Sequence, residues 1–266
     1  MSTRALRTAA SGMYAQQINI EVISNNIANI NTTSFKKNKA EFQDLMYQEV
    51  HVNPLTSSAP GVEENSTSKI QIGNGVKPAA STKIFTQGDI TPTNNQLDLA
   101  IQGEGFFQVR KSDGTIAYTR DGSFKVNADG KIVTSGGNEL DPGFTLTSDI
   151  SSIAIGQDGT VTAHQGNGSV VQLGSIEIAR FMNNGGLVAL GDNLYAESPA
   201  SGQPIIGTPG QEGFGEIHQG YLEASNVDIV EEMIAMIAAQ RAYEINSKTV
   251  QTVENMMTMA NNLKRS

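Results

Sequence analysis

The chain has no cysteine and no tryptophan among its 266 residues, and only 17% of them are charged. Without cysteine there are no disulfides, no thiolate nucleophiles and no Cys-ligated zinc, which suits a protein that works outside the reducing cytosol. No run of 18 apolar residues occurs, and no continuous apolar stretch follows Arg4 and Arg7. Neither a membrane span nor a cleaved secretory signal is therefore expected. Basic residues are outnumbered, giving a formal charge of −9 and a pI near 4.8. A nucleic-acid binder needs clustered Lys and Arg to displace counterions, so no nucleic-acid partner is expected.

Catalytic signatures are missing as well. His51, His164 and His218 stand far apart in the sequence, and none lies in an HExxH arrangement. "GEGFF" and "GNGV" lack the spacing of nucleotide-binding loops, there is no G-x-S-x-G elbow, and "NADGK" is too short for a calcium loop. A carbohydrate-active enzyme would need a pair of carboxylates, and no spacing signature marks one. We expect no catalytic, cofactor-binding or metal-ligating residues.

What is present divides into two ends and a middle. Leu6, Met13, Ile20 and Ile27 recur every seven residues with Ala9, Ile23 and Ile30 between them, predicting a helix from Ser2 to about Asn31. Tyr14, Ile18 and Val22 form a second stripe on roughly the opposite side, as if the helix were gripped from two sides. A helix lying on its own domain by one face is the alternative. At the other end Val227, Val230, Ile234, Ala238, Ala242, Ile245, Thr249, Val253, Met256, Ala260 and Leu263 follow the 3.6-residue period of a straight α-helix. Ser225 or Asn226 is the expected N-cap.

Between the ends the pattern changes to short β-branched and aromatic runs. Asp-Gly recurs at 113/114, 121/122 and 129/130, and again at 158/159, predicting a meander of hairpins. The expected fold is α+β: long terminal helices paired in a coiled-coil-like way, an extended arm, and an all-β middle of short antiparallel strands. The expected boundaries are 1–34 for the first helix, 35–72 for the arm, 73–223 for the β-rich part, and 224–266 for the second helix.

Charge follows the same division. Residues 1–50 carry +1, residues 51–222 carry −8 and residues 223–266 carry −2. From Thr8 to Phe35 the only charged residue is Glu21, although an exposed helix ordinarily carries several. The apolar side chains of the first helix would contribute roughly 12 to 24 kcal/mol if fully buried. Ordering 30 residues costs on the order of 30 to 60 kcal/mol, so the helix needs partners, and copies of the same chain supply them most simply. In such crowding amides serve better than charges, because Asn donates and accepts hydrogen bonds without a net charge. Asn25, Asn26 and Asn29 are read in this way. Asn31 to Ser34 read as a cap and turn, and Lys36 and Lys37 as the point where the chain leaves the packed interior.

The expected subunit-packing positions are accordingly Leu6, Met13, Tyr14, Ile18, Ile20, Val22, Ile23, Ile27 and Ile30 with the three asparagines, and Val230, Ile234, Ala238, Ala242, Ile245, Val253, Met256 and Leu263. A β-rich extracellular binding or adhesion module on a homo-oligomeric helical stalk is the competing reading.

The stretch "ALRTAASGMYAQQINIEVISNNIANINTTSFKK" (5–37) resembles the N-terminal signature of the bacterial flagellar rod and hook proteins. "GYLEASNVDIVEEMIAMIAAQRAYEINSKTVQTVENMM" (220–257) is similar to the C-terminal helix of that family, and "IQGEGFFQV" with "AYTRDGSFKVNADGKIVTSGG" to its middle. "QIGNGVKPAA" and "QRAYEINSKTVQT" resemble the distal-rod member. Residues 48–71 match the position of an insert associated with a straight, stiff rod. The resemblance implies a structural subunit, exported by the flagellar type III apparatus without a cleaved signal, that polymerises in the periplasm into a hollow helical rod. Its helices would line the inner tube and its β-part would face outward. Implied partners are further copies of the chain, proximal rod proteins at one end, hook or hook-junction protein at the other, and the surrounding L and P rings, with no membrane insertion.

Overall fold

A computed structural model of the chain describes residues 2–52, 68–146, 150–166, 169–211 and 213–265. Two long helices, α1 (Ser2–Ala28) and α2 (Ile229–Arg265), bracket a succession of short strands. By their contacts the residues form a helical unit (1–25, 38–82 and 230–266) and a β unit (26–37 and 83–229). The α+β class, with paired terminal helices and a middle of short antiparallel strands, is the one expected.

With 27 and 37 residues, the helices are about 40 and 55 Å long at a rise of about 1.5 Å per residue. α1 stops three residues before Asn31. Its last turns tighten: the Asn29 and Ile30 amides donate to the Asn26 and Ile27 carbonyls at 3.1 and 3.3 Å, and the Thr32 hydroxyl donates to the Asn29 side chain. Such i→i+3 bonds satisfy carbonyls that a continuing helix would have used. α2 starts at Ile229, beyond both residues expected to cap it. Ser225 Oγ accepts the Val227 amide, while the Asn226 side chain is engaged with Lys37, Ile84 and Thr86.

Within the helical unit the two helices approach closely at Gly12, where a Cβ would stand 2.9 Å from the Asn246 amide nitrogen. Ser11 ties α1 to the following chain: its hydroxyl donates to the Thr8 carbonyl at 2.8 Å and accepts the Val76 amide at 3.3 Å. The neighbouring Gly75 has φ +115° and no room for a Cβ against that hydroxyl, so glycine is required there. Strand Asn38–Asp44 pairs with Val76–Lys83, and Gln48–Val52 pairs antiparallel with Ser68–Ile72 from Gln48 opposite Ile72 to Val52 opposite Ser68. The arm expected over 35–72 therefore contributes paired strands. Of the insert expected at 48–71, residues 53–67 lie outside the described residues.

The β unit is organised by "FFQVR". Strand Phe106–Arg110 pairs along one edge with Ile116–Thr119. Its other edge is shared by Glu139–Asp141, opposite Gln108 to Arg110, and Ile178–Arg180, opposite Phe106 and Phe107. Successive side chains of a strand point to opposite faces, and both faces here are covered. Phe107 and Val109 enter a core with Leu99, Ile101, Phe124, Ile132, Leu140, Ile176 and Ile217. Phe106 enters a second cluster with Tyr118, Phe181, Leu187 and Tyr195. Rings in the latter meet edge to face, Tyr118 with Phe181 at 4.8 Å and Phe106 with Phe181 at 5.8 Å.

Three of the four Asp-Gly pairs turn hairpins as expected, with Gly114, Gly130 and Gly159 at φ +82°, +78° and +80°. Asp121-Gly122 does not. Strand Ile116–Thr119 continues through it toward Lys125–Val126, which pairs elsewhere, and Gly122 lies buried against the backbone of Leu99. A Cβ at Gly122 would run into the Leu99 carbonyl oxygen, so this glycine serves close approach of two backbone segments.

Candidate assembly site

In the helical unit, the most buried positions of α2 are Glu232, Ala239 and Val253, and with Asn246, which faces Gly12, they fall seven residues apart. This is the seam spacing of paired helices, written mostly in small or polar residues. At about 100° per residue, Val230 and Ile234 lie roughly opposite this seam, and the rest of the stripe expected from apolar periodicity lies on its flank. Val230, Ile234 and Leu263 are 61%, 63% and 79% exposed, and Ile245 and Met256 are also exposed. Ala238 is exposed and Ala242 half-buried, while Val253 belongs to the seam. Met233, Ile237 and Met259, absent from the expected set, are exposed as well.

α1 behaves similarly. Ala9, Ala15 and Ile23 are buried, and Leu6, Met13, Ile18, Ile20 and Val22 are half-buried. Tyr14 is 56% exposed and Asn25 is exposed. Between the first turns of α1, Ile72–Gly73 and the second half of α2 lies a groove of about 850 Å³, walled by Ala5, Thr8, Ala9, Val253, Met257 and Ala260 among others. Methionine and alanine walls accept apolar side chains of varied shape. The helical unit thus presents an exposed apolar stripe along α2 that meets the apolar groove at Met256.

Asn26, Asn29, Ile27 and Ile30 fall in the β unit, with Asn26 only 2% exposed and the other three half-buried. There the segment after α1 is threaded into a polar knot, and Lys36 is not a solvent boundary but fully buried. Its ammonium donates to Glu223 Oε1 at 2.5 Å and to the Thr86 carbonyl at 2.7 Å. Arg120 Nε donates to Glu223 Oε2 at 2.9 Å, and the rest of its guanidinium donates to the carbonyls of Gly103, Gly105 and Ile101. The Gly88 amide completes the carboxylate's partners at 2.9 Å. Ser34, with φ 55°, is held in the left-handed region by its amide on the Glu223 carbonyl and its hydroxyl on the Arg120 carbonyl.

Two cations thus share one buried anion. Burial alone would raise the Glu223 carboxyl, but Arg120, Lys36 and the Gly88 amide together hold it below the usual carboxylate value. Burial pushes the Lys36 ammonium down, only partly offset by Glu223. Tyr195 is pushed up to about 12, first by burial and then by the Glu223 charge.

No helix among the described residues is long and apolar enough to cross a membrane, and no group of His, Asp and Glu among them is placed to hold a metal. Three family descriptions match the chain in order: "Flagella basal body rod protein" at 6–36, "Flagellar hook protein FlgE/F/G D1 domain" at 100–163, and "Flagellar basal body rod FlgEFG protein C-terminal" at 218–263. The chain is 49% identical to the flagellar basal-body rod protein FlgG of Borreliella burgdorferi, over 98% of this chain and 99% of that protein. Two rod proteins of Caulobacter vibrioides discriminate within the family. Its FlgG is 47% identical over 98% of this chain and 99% of that protein, and its FlgF 35% identical over 96% of each. The chain belongs to the FlgG family of flagellar basal-body rod proteins. As a FlgG-family chain it is a structural, non-enzymatic subunit of the distal rod of the flagellar basal body. Among solved structures, a Helicobacter pylori flagellar hook protein, FlgE2, is similar at 18% identity and a TM-score of 0.24, over 71% of this chain and 43% of that one.

Proposed function

We propose that copies of this chain polymerise through the outer apolar stripe of α2 and the exposed positions of α1 into the wall of a straight, hollow rod. The observation that carries this reading is the stripe itself. Val230, Ile234, Ile245, Met256 and Leu263 stand exposed on a face of α2 that its seam with α1 leaves uncovered. A helix of a globular protein ordinarily keeps its outer face polar, so this one is built to be covered. Contacts between two different surfaces, repeated by a screw operation, give an open filament rather than a closed oligomer.

In this reading the subunit is exported by the flagellar type III apparatus and assembles in the periplasm. The rod carries motor torque toward the hook and surrounds the export channel. Proximal rod proteins lie at one end, hook or hook-junction protein at the other, and the L and P rings around it. The acidity of residues 51–222 keeps unassembled subunits apart in solution and leaves a surface that turns inside a ring without adhering. Electron microscopy of the purified full chain at high concentration tests the reading: straight tubes are expected, and discrete closed particles would oppose it.

A further inference from the structure

The chain passes between the two units at four places, near residues 25, 37, 82 and 229. Segments leading to three of them meet inside the β unit around Glu223 and Asn226. The Ser34 amide donates to the Glu223 carbonyl and the Asn226 amide to the Phe35 carbonyl, joining the first and last segments. The Ile84 amide donates to the Lys37 carbonyl at 2.9 Å, joining the first and second. The Gly88 amide donates to the Glu223 carboxylate and the Ala224 amide to the Asp89 carbonyl, joining the second and last.

The Asn226 side chain spans all three. Its oxygen accepts the Lys37 amide at 2.8 Å, and its nitrogen donates to the carbonyls of Ile84 and Thr86 at 2.8 and 3.1 Å. Lys36 repeats the pattern by bonding both Thr86 and Glu223. Fastening loops together does not require burying three charges, which carries a desolvation penalty. What the charges add is dependence: each segment keeps its satisfied geometry only while the other two are in place.

We propose that the Lys36–Glu223–Arg120 cluster and the Asn226 amide form a clasp that makes residues 34–37, 84–88 and 223–226 open and close as one connector rather than as three independent tethers. The proposal stands on the β unit alone. If the rod reading is also right, the clasp lets three segments share a load that would otherwise pass through each separately.

Hydrogen exchange on the full-length chain tests it, with the amides of Ser34, Lys37, Ile84, Gly88, Ala224 and Asn226 as reporters and those of Val109 and Leu140 as core references. Because bonds to charged groups are strong, Glu223→Gln is expected to speed exchange at all six reporters together by one common factor of about a hundredfold or more, leaving them faster than the references, whose rates rise only with the loss of global stability. Asn226→Ala, which removes no charge and keeps the core intact, is expected to raise the same reporters in concert by a smaller factor. Acceleration confined to the amides that lost a partner, or reporters that share no common opening free energy distinct from that of the references in the wild type, would overturn the clasp. Neither outcome depends on whether the chain polymerises.

Discussion

Replacing Glu223 by Gln and, separately, Lys36 by Met perturbs the buried cluster in opposite senses. Glu223→Gln keeps the side-chain shape but leaves Lys36 and Arg120, 0% and 6% exposed, without a counter-charge. Removing one partner of a buried ion pair costs about 3–5 kcal/mol. Lys36→Met leaves Glu223 paired with Arg120, so the charges balance, and the chief loss is the bond to the Thr86 carbonyl. That carbonyl keeps the Asn226 amide as a donor, so losing one of its two bonds costs about 1 kcal/mol, and relief from burying an ammonium offsets part of it, so we expect about 1 kcal/mol or less.

Urea denaturation followed by near-ultraviolet circular dichroism of the Tyr118, Phe181 and Tyr195 cluster measures both. The difference also depends on pH. Because the folded carboxyl sits below the ordinary 4.5, its contribution is complete above about pH 4.5 and is lost as pH falls through the lower folded value. The gap between wild type and Glu223→Gln should therefore close in acid. The depressed Lys36 acts at the other end: the unfolded chain stays protonated longer, so its contribution raises stability as pH climbs toward 10.5. Tyr195, pushed up to about 12, stays neutral over the acid range that tests Glu223. A larger loss from Lys36→Met than from Glu223→Gln, or a gap that does not narrow as the pH falls into acid, would refute the charge argument.

Two further outcomes are expected. Gly122→Ala should destabilise the β unit by about 1–3 kcal/mol in the same denaturation assay, because its methyl group would collide with the Leu99 backbone, while Gly114→Ala, in open space, should lose less. Assembly monitored by light scattering should become easier as salt rises, since residues 51–222 carry −8 and their repulsion between copies is screened.

The parts of the fold written in apolar periodicity or turn chemistry were legible. Both helices and the turns at Gly114, Gly130 and Gly159 belong to this group, because each rests on a local rule. The α2 seam was not legible, since Glu232, Ala239 and Asn246 carry no hydrophobic signal and their seven-residue spacing is hidden by the stronger stripe beside it. Gly122 sits in the same dipeptide as the turn glycines, and only the proximity of Leu99 sets it apart. The buried cluster was invisible for a different reason. Lys36, Arg120 and Glu223 are ordinary charged residues separated by up to 187 positions, and nothing local marks them as partners. This alters the reading of "TTSFKK", whose Ser34, Phe35 and Lys36 are internal parts of the β unit. Removing the first 35 residues would therefore damage that unit as well as α1, and point substitutions separate assembly from folding more cleanly.

Ile234 is 63% exposed and lies on the outer stripe of α2. Burying it against a neighbouring copy would contribute about 1.5–3 kcal/mol per subunit, which a carboxylate at the same place would replace with a desolvation penalty. The most direct measurement is electron microscopy of the wild-type chain and Ile234→Asp side by side at matched high concentration. The account predicts straight hollow tubes from the wild type and none from Ile234→Asp, with the β unit unfolding at the same urea concentration in both. Tubes of equal abundance from the two proteins would contradict it.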